Sequence, residues 1–276
     1  MDGLITTHAL AAMLGADDLL VLDATYTSTI PGAAKQDPRA EFEAGHIPGA
    51  RLLDLDTLVD AENPLPSMLP KRSLFEERMA QLGVTGTTRI VLYDNSPHHT
   101  ACRAWWVLRM FGVKAAILDG NMGHWRAEGR PVQAGPHLAA ATVFNAGEPA
   151  AQLRTLDDMR NTTDQIVDAR SAARFSGDEP DPRPECAAGH MPDAKNIPYG
   201  RFFESDGRWK SPEGIRAVFD AAGLDLTRPM VATCGSGITA SVIVFAAHLL
   251  GHDIALYDGS WTEWGAQADT AKVLGA

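Results

Sequence analysis

Cysteine is scarce in this chain: three thiols in 276 residues, at positions 102, 186 and 234. They lie too far apart for a disulfide framework or a metal signature, and no metal and no cofactor is expected. Basic side chains are also short, 24 against 35 acidic ones, for a net charge of −11. That balance argues against nucleic acid or an anionic membrane as a bulk partner. An anionic substrate must then be met by a local basic cluster. No apolar run is long enough to span a bilayer, and the opening Met1-Asp2-Gly3-Leu4 lacks the basic and apolar regions of a signal peptide. A cytoplasmic location, where thiols stay reduced, is the expectation. The apolar and charged fractions, 45% and 21%, are ordinary for a globular protein.

One of the three thiols stands in an informative place. Cys234 opens the run Cys234-Gly235-Ser236-Gly237-Ile238-Thr239-Ala240, which follows the apolar stretch Pro229–Thr233 and precedes the apolar stretch Ser241–Leu250. The first stretch reads as a buried strand and the second as a buried helix. Cys234 then sits at a helix N-terminus, where backbone N–H groups and the helix dipole favour a thiolate. The glycines let the loop curl into a nest of N–H donors for an anion. A free cysteine is more often a buried structural residue, but the strand, glycine loop and helix together weigh against that here. Cys-based phosphatases need an arginine at the far end of a Cys-x5-Arg loop to clamp phosphate. Ala240 holds that position, so phosphatase and arsenate reductase chemistry are disfavoured.

The chain repeats itself. Ala44-Gly45-His46-Ile47-Pro48-Gly49-Ala50 returns as Ala188-Gly189-His190-Met191-Pro192-Asp193-Ala194, and Val21-Leu22-Asp23-Ala24 as Ile166-Val167-Asp168-Ala169. Leu118-Asp119-Gly120 with Trp125 returns as Tyr257-Asp258-Gly259 with Trp264. The offset is about half the chain each time, which indicates a duplicated domain rather than a solenoid. Strands are predicted near 19–23, 89–93 and 115–118, and again near 165–168, 230–233 and 254–257. Short apolar strands alternating with helices predict an α/β protein of two tandem domains, each a parallel sheet covered by helices on both faces. The site then belongs at the carboxyl ends of the strands. Helix starts are predicted at Ser73 and at Ser211-Pro212. The expected division is 1–135, a linker rich in Ala, Gly and Pro at 136–152 with a strand-like segment at 142–144, and 153–276. Aligning the two halves puts Asp94 opposite Cys234, so the first domain has no nucleophile and serves as scaffold and one wall of the site. Cys186 aligns with Phe42, an apolar packing position, and Cys102 is read as structural too.

These residues resemble the two-domain rhodanese superfamily over nearly the whole chain, and within it the mercaptopyruvate sulfurtransferases. The twin Gly-His-x-Pro motifs, the twin Asp-Gly…Trp motifs and the terminal Gly259-Ser260-Trp261-Thr262-Glu263-Trp264 carry the resemblance. Thiosulfate-using members usually have a basic Cys-Arg-Lys-Gly loop. Mercaptopyruvate-using members have Cys-Gly-Ser-Gly-Val-Thr-Ala, matched here except for Ile238. The resemblance implies that Cys234 takes sulfur from 3-mercaptopyruvate as a persulfide, releases pyruvate, and passes the sulfur to a thiol, thioredoxin or cyanide. It implies that the loop Gly235, Ser236, Gly237, Ile238 and Thr239 stabilises the persulfide, and that Arg174 and Arg183 bind the substrate carboxylate. It also implies a relay of Ser236 with a first-domain histidine and aspartate, matched by motif to His46 and Asp37.

Some alternatives stay open on the residues alone. Arg174 and Arg183 could be surface arginines in weak local ion pairs. Ser236 could be a small residue that permits a tight loop, and His46 a structural histidine, since His190 occupies the same turn. His98-His99 reads as a solvated loop tip, and Trp105-Trp106 as core. A thiosulfate sulfurtransferase, or a binding module with an incidental Cys234, are the rival functions. A monomer is expected.

Overall fold

The computed structural model describes residues 1–26, 37–136, 140–147 and 152–275. Two sheets of five strands organise them. The first contains β1 (Gly3–Ile5), β2 (Leu19–Asp23), β3 (Arg51–Leu52), β4 (Arg89–Tyr93) and β5 (Ala115–Leu118) in the order β1-β5-β4-β2-β3. The second contains β6 (Leu153–Arg154), β7 (Gln165–Asp168), β8 (Lys195–Asn196), β9 (Met230–Thr233) and β10 (Ala255–Tyr257) in the order β6-β10-β9-β7-β8. Every pairing is parallel, and the two orders are the same permutation.

Each sheet buries both faces, as its near-continuous apolar strands require. Alternate side chains go to opposite sides. Val21, Val91, Tyr93, Ala116 and Leu118 pack with Leu10, Phe42 and Trp125 in a core private to the first domain. Ile166, Val231, Ala255 and Tyr257 pack with Phe175, Met191 and Trp261 in its counterpart. The other faces, with Leu20, Leu22, Leu92, Val167, Ala232 and Leu256, join one cluster that runs through both domains. Helices Ala101–Met110 and Ala240–Leu249 supply its middle, where the Trp105 and Phe245 rings meet at 4.9 Å.

The repeated Asp-Gly motif also ties the halves together. Asp258 of the second domain accepts from the Leu69 N–H of the first at 2.6 Å. Asp119 of the first accepts from the Trp209 N–H of the second at 2.9 Å. Arg103 adds to the first tie, donating to Asp258 at 2.7 Å with both side chains almost fully buried.

The central strands fall within a residue of their predicted places. The four edge strands β1, β3, β6 and β8 were not predicted. They are two or three residues long, too short for any periodicity to register. The helix predicted from Ser211-Pro212 spans Pro212–Ala221, and Ser211 caps it by accepting from the Gly214 N–H. The one predicted at Ser73 begins at Arg72, capped at Lys71 without a side-chain bond. The segment 142–144 is not a strand. Thr142 instead ties this stretch to the first domain, through its N–H to the Ala80 carbonyl and its hydroxyl to the Val84 carbonyl. Residues 137–139 and 148–151 of the predicted linker lie outside the described residues. Among the described residues no helix is long and apolar enough to cross a membrane.

Candidate active site

Strand β9 ends at Thr233 and the helix begins at Ala240, so the glycine loop occupies the strand-to-helix turn at the carboxyl end of the sheet. The terminal Gly-Ser-Trp-x-Glu-Trp segment props it from behind. Ser260 Oγ accepts from the N–H groups of Cys234 (3.2 Å) and Gly237 (3.1 Å) and donates to the Tyr257 carbonyl. The Trp261 and Thr262 N–H groups bond the carbonyls of Cys234 and Gly235, and the Thr262 hydroxyl adds a second bond to Gly235. Gly237 sits at φ +77°, and a β-carbon there would come within 2.6 Å of an Asp258 carboxylate oxygen. Only glycine fits that turn.

This support separates the loop's donors. The N–H groups of Gly235, Ser236, Ile238, Thr239 and Ala240 have no protein partner among the described residues. They form the open part of the nest. The Gly237 N–H is already held by Ser260, which corrects its place among the sequence-predicted donors: it shapes the turn.

Cys234 is buried and lines a cavity of about 160 Å³. Gly235, Ser236, Ile238 and Thr239 line the same space, as do Arg174 and Arg183. A β-carbon on Gly235 would lie 3.5 Å from a terminal guanidinium nitrogen of each arginine, so both forks converge on the loop. Asp181, its side chain almost fully buried, holds them there. It accepts from Arg174 Nη2 at 2.5 Å, from Arg183 Nη1 at 3.4 Å and from the Arg183 N–H at 3.0 Å. These are not the weak surface pairs of the alternative reading. Arg174 Nε is buried and has no partner among the described residues, a donor that a ligand oxygen could satisfy. Asp181 went unread in the sequence, although Asp-x-Arg at 181–183 offered a signal. Arg170 also lines the cavity, but its fork is taken by Asp168 and the Gly189 carbonyl.

The first domain contributes Tyr26 and His98 to the cavity wall. His98 and His99 are therefore not a solvated tip. His98 Nδ1 lies 3.1 Å from the Tyr199 hydroxyl, and the His99 ring stacks on Phe203 at 3.6 Å. Both partners come from the other domain, which local sequence cannot reveal. Burial holds the His98 imidazole below the ordinary histidine value and, with His98 beside it, pushes His99 down to about 4. Burial and the neighbouring Cys234 push the Tyr199 phenol up.

The relay of Ser236, His46 and Asp37 is not assembled. His46 is fully buried in the first domain's private shell. Its ring stacks on Phe42 at 4.0 Å and its Nδ1 bonds the Phe42 carbonyl at 2.8 Å. His190 does the same with Phe175, at 3.7 Å and 2.9 Å. The Gly-His-x-Pro histidine is thus a structural device used twice, and His46 does not line the cavity. Asp37 caps the helix Pro38–Ala44 by accepting from the Ala40 N–H at 3.0 Å. Ser236 alone of the three reaches the cavity.

The first domain's loop answers the second with a carboxylate. Asp94, fully buried, accepts from the N–H groups of Ser96 (2.9 Å) and Ala101 (2.8 Å). Its own side chain fills the nest, and burial raises its acid to about 7. Cys102 and Cys186 are buried in the cores. Burial pushes both thiols up, Cys186 to about 11, so neither is a candidate nucleophile.

Known proteins share this design. The rhodanese-like domain matches residues 6–128 and again 152–267. The 3-mercaptopyruvate sulfurtransferase of Homo sapiens is 39% identical over 275 residues, covering 97% of this chain and 92% of that protein. The thiosulfate sulfurtransferase of Cricetulus griseus is 38% identical over 259 residues, 91% of this chain and 86% of that protein. The crystal structure of SseA from Escherichia coli, described as a 3-mercaptopyruvate sulfotransferase of rhodanese fold, superposes with a TM-score of 0.83 at 32% identity, over 95% of this chain and 99% of that one. With two matches to one domain, two sheets of one topology and relatives of nearly the same length, the chain belongs to the rhodanese family.

Proposed function

We propose that the protein is a 3-mercaptopyruvate sulfurtransferase that works through a persulfide on Cys234. The observation that carries this reading is the pairing of a nucleophile loop free of cations with two arginines braced by Asp181 beside it. A substrate with one carboxylate can lie across Arg174 and Arg183, bidentately held, while its sulfur meets the thiolate. The thiolate attacks that sulfur, the carbon–sulfur bond breaks, and pyruvate leaves as its enolate. The open N–H groups of Gly235, Ser236, Ile238 and Thr239 then stabilise the anionic persulfide. A second half-reaction returns the outer sulfur to a small thiol, to cyanide or to reduced thioredoxin. Two half-reactions on one nucleophile give double-displacement kinetics.

In this reading residues 153–276 form the catalytic unit, 1–135 the scaffold and far wall, and 136–152 the linker. The protein acts as a monomer in the cytoplasm, where its three free thiols stay reduced.

Thiosulfate is the rival donor, and the relatives carry both names at similar identity. Thiosulfate bears two charges and no keto carboxylate, and it suits a loop with basic side chains. Here the positions after Cys234 are Gly235 and Ser236. Steady-state kinetics with both donors decides: kcat/KM should favour mercaptopyruvate by a large factor. Equal efficiencies would overturn the donor assignment and leave the sulfurtransferase class standing.

A further inference from the structure

The proposed chemistry needs a proton at a place where the expected relay does not deliver one. Mercaptopyruvate carries a thiol proton, and pyruvate carries a third hydrogen on its methyl carbon. When the Cys234 thiolate takes the sulfur, the carbon–sulfur electron pair goes to carbon as an enolate. The proton is left on the outer sulfur of a persulfide that is more stable as an anion in the nest. The balance is one thiolate and one mercaptopyruvate giving one persulfide anion and one pyruvate, with a single proton moved from sulfur to carbon. His46 does not line the cavity, and its ring lies inside the Phe42 shell.

One imidazole lines the cavity among the described residues, that of His98. In a space of about 160 Å³, a group on one wall is within reach of a three-carbon substrate held against the other. The ring is also oriented. Tyr199 donates its hydroxyl proton to the Pro97 carbonyl at 3.2 Å, since a carbonyl can only accept. With the hydroxyl proton placed there, its oxygen accepts from His98 Nδ1–H at 3.1 Å. The second nitrogen, Nε2, is left with a lone pair. This is the oriented base of general acid–base catalysis, with the orienting group supplied by the other domain.

We propose that His98 is a catalytic residue of the first half-reaction, taking the substrate's thiol proton on Nε2 and returning it to the enolate carbon. The proposal rests on the mercaptopyruvate reading above. His98 must start neutral, and its burial favours that form. The groups that face it agree. From the first domain these are His99, itself held neutral, and Tyr26. From the second they are Tyr199, Cys234, Arg170, whose charge is paired with Asp168, and the guanidinium groups of Arg174 and Arg183, whose positive charge disfavours a second cation nearby. The first domain then supplies chemistry to the site as well as a wall.

His98→Asn keeps a donor toward Tyr199 but cannot carry a proton through. Pyruvate release in a single turnover should fall roughly 100-fold or more, the usual share of a general acid–base group, with the KM for mercaptopyruvate changed little. Sulfur transfer from Cys234 persulfide, loaded by long incubation, should proceed at the wild-type rate, because that step makes no carbon acid. Added imidazole should restore part of the pyruvate burst in His98→Ala. Wild-type pyruvate release should also rise with pH through a midpoint below the ordinary histidine value of about 6.5, a limb missing from both variants. This last measurement does not depend on how a variant folds. Pyruvate release within threefold of wild type in His98→Asn, or a wild-type profile without that limb, overturns the proposal while the functional reading stands. A wild-type protein that forms no pyruvate overturns the functional reading and this proposal together.

Discussion

Replacing Arg103 by Met tests how the first domain holds the nucleophile loop of the second. The Arg103 side chain is 3% exposed and its partner Asp258 1%, at 2.7 Å. The same guanidinium reaches the carbonyl of Gly237 at 3.4 Å and that of Ser67, and it lies over the Trp106 ring. Methionine fills much of the volume but leaves the Asp258 charge buried with the Leu69 N–H as its remaining cross-domain donor. Breaking a buried pair from one side costs about 3–5 kcal/mol, most of it the stranded charge. In a chain of this length each kcal/mol moves Tm by about 2 °C, so a fall of about 6–10 °C is expected. Adding Asp258→Leu removes the stranded charge. What then remains is the unbonded Leu69 N–H, about 1–3 kcal/mol, so the double variant should recover part of the loss. Because Gly237 loses a contact at its turn, persulfide formation at Cys234 should slow in Arg103→Met well below its melting temperature. Thermal and urea unfolding of Arg103→Met, Asp258→Leu and the double variant, with mass measurement of the Cys234 adduct, reads all of this. A Tm within 2 °C of wild type for Arg103→Met, or a double variant as unstable as the two single-variant losses summed, would show that the buried pair does not hold the domains together.

Other consequences are more direct. Mercaptopyruvate should add one sulfur to Cys234 and none to Cys102 or Cys186, and Cys234→Ser should abolish transfer with the fold kept; substantial turnover in that variant would end the persulfide mechanism. Arg174→Ala or Arg183→Ala should raise the KM for mercaptopyruvate, with at least a tenfold loss of kcat/KM from a charged hydrogen bond worth about 1.5–3 kcal/mol; unchanged kinetics in both would return these arginines to a structural role. Asp94 predicts a pH effect. Its folded acid stands at about 7, above the unfolded value near 3.9. Its stabilising contribution is therefore full below about pH 4 and is lost as the pH rises through about 7. The advantage of wild type over Asp94→Ala in urea midpoint should shrink across that window, and a constant gap would contradict it.

The sequence was readable where the fold is local and repetitive. The central strands are three to five residues long, each built on a contiguous apolar run of two to four and bounded by turns, which a parallel sheet buried on both faces produces. The edge strands are set by pairing to a neighbour far along the chain, and Arg51–Leu52 or Lys195–Asn196 alone carry no pattern. The same division holds in the site. The loop after β9 and the two arginines were visible because each sits in a recognisable segment. Asp181, which aims the arginines, and His98, which faces the cavity from the other domain, acquire meaning only from partners that tertiary structure supplies. His46 shows the opposite error. Its motif drew a functional reading by resemblance, yet the second copy at His190 already offered the better one: a turn used in both halves, away from the nucleophile in one, is explained by packing.

The duplication itself accounts for the single site. Both halves place a buried loop between a central strand and a helix, and both point backbone N–H groups into it. In the first half Asp94 fills the nest from within with its own carboxyl group, taking the donors of Ser96 and Ala101. In the second, Cys234 leaves the donors of Gly235, Ser236, Ile238, Thr239 and Ala240 without partners among the described residues. A nest filled by its own carboxyl group has no room for an anion, whereas an open one next to a thiol can hold a persulfide once it forms. The ties of Asp258 to Leu69 and of Asp119 to Trp209 run through the same repeated motif in both directions, so the domains dock by a shared device. What breaks the symmetry begins with the side chain at the loop's first position, and on the function proposed above that difference turns a folding motif into a site for sulfur.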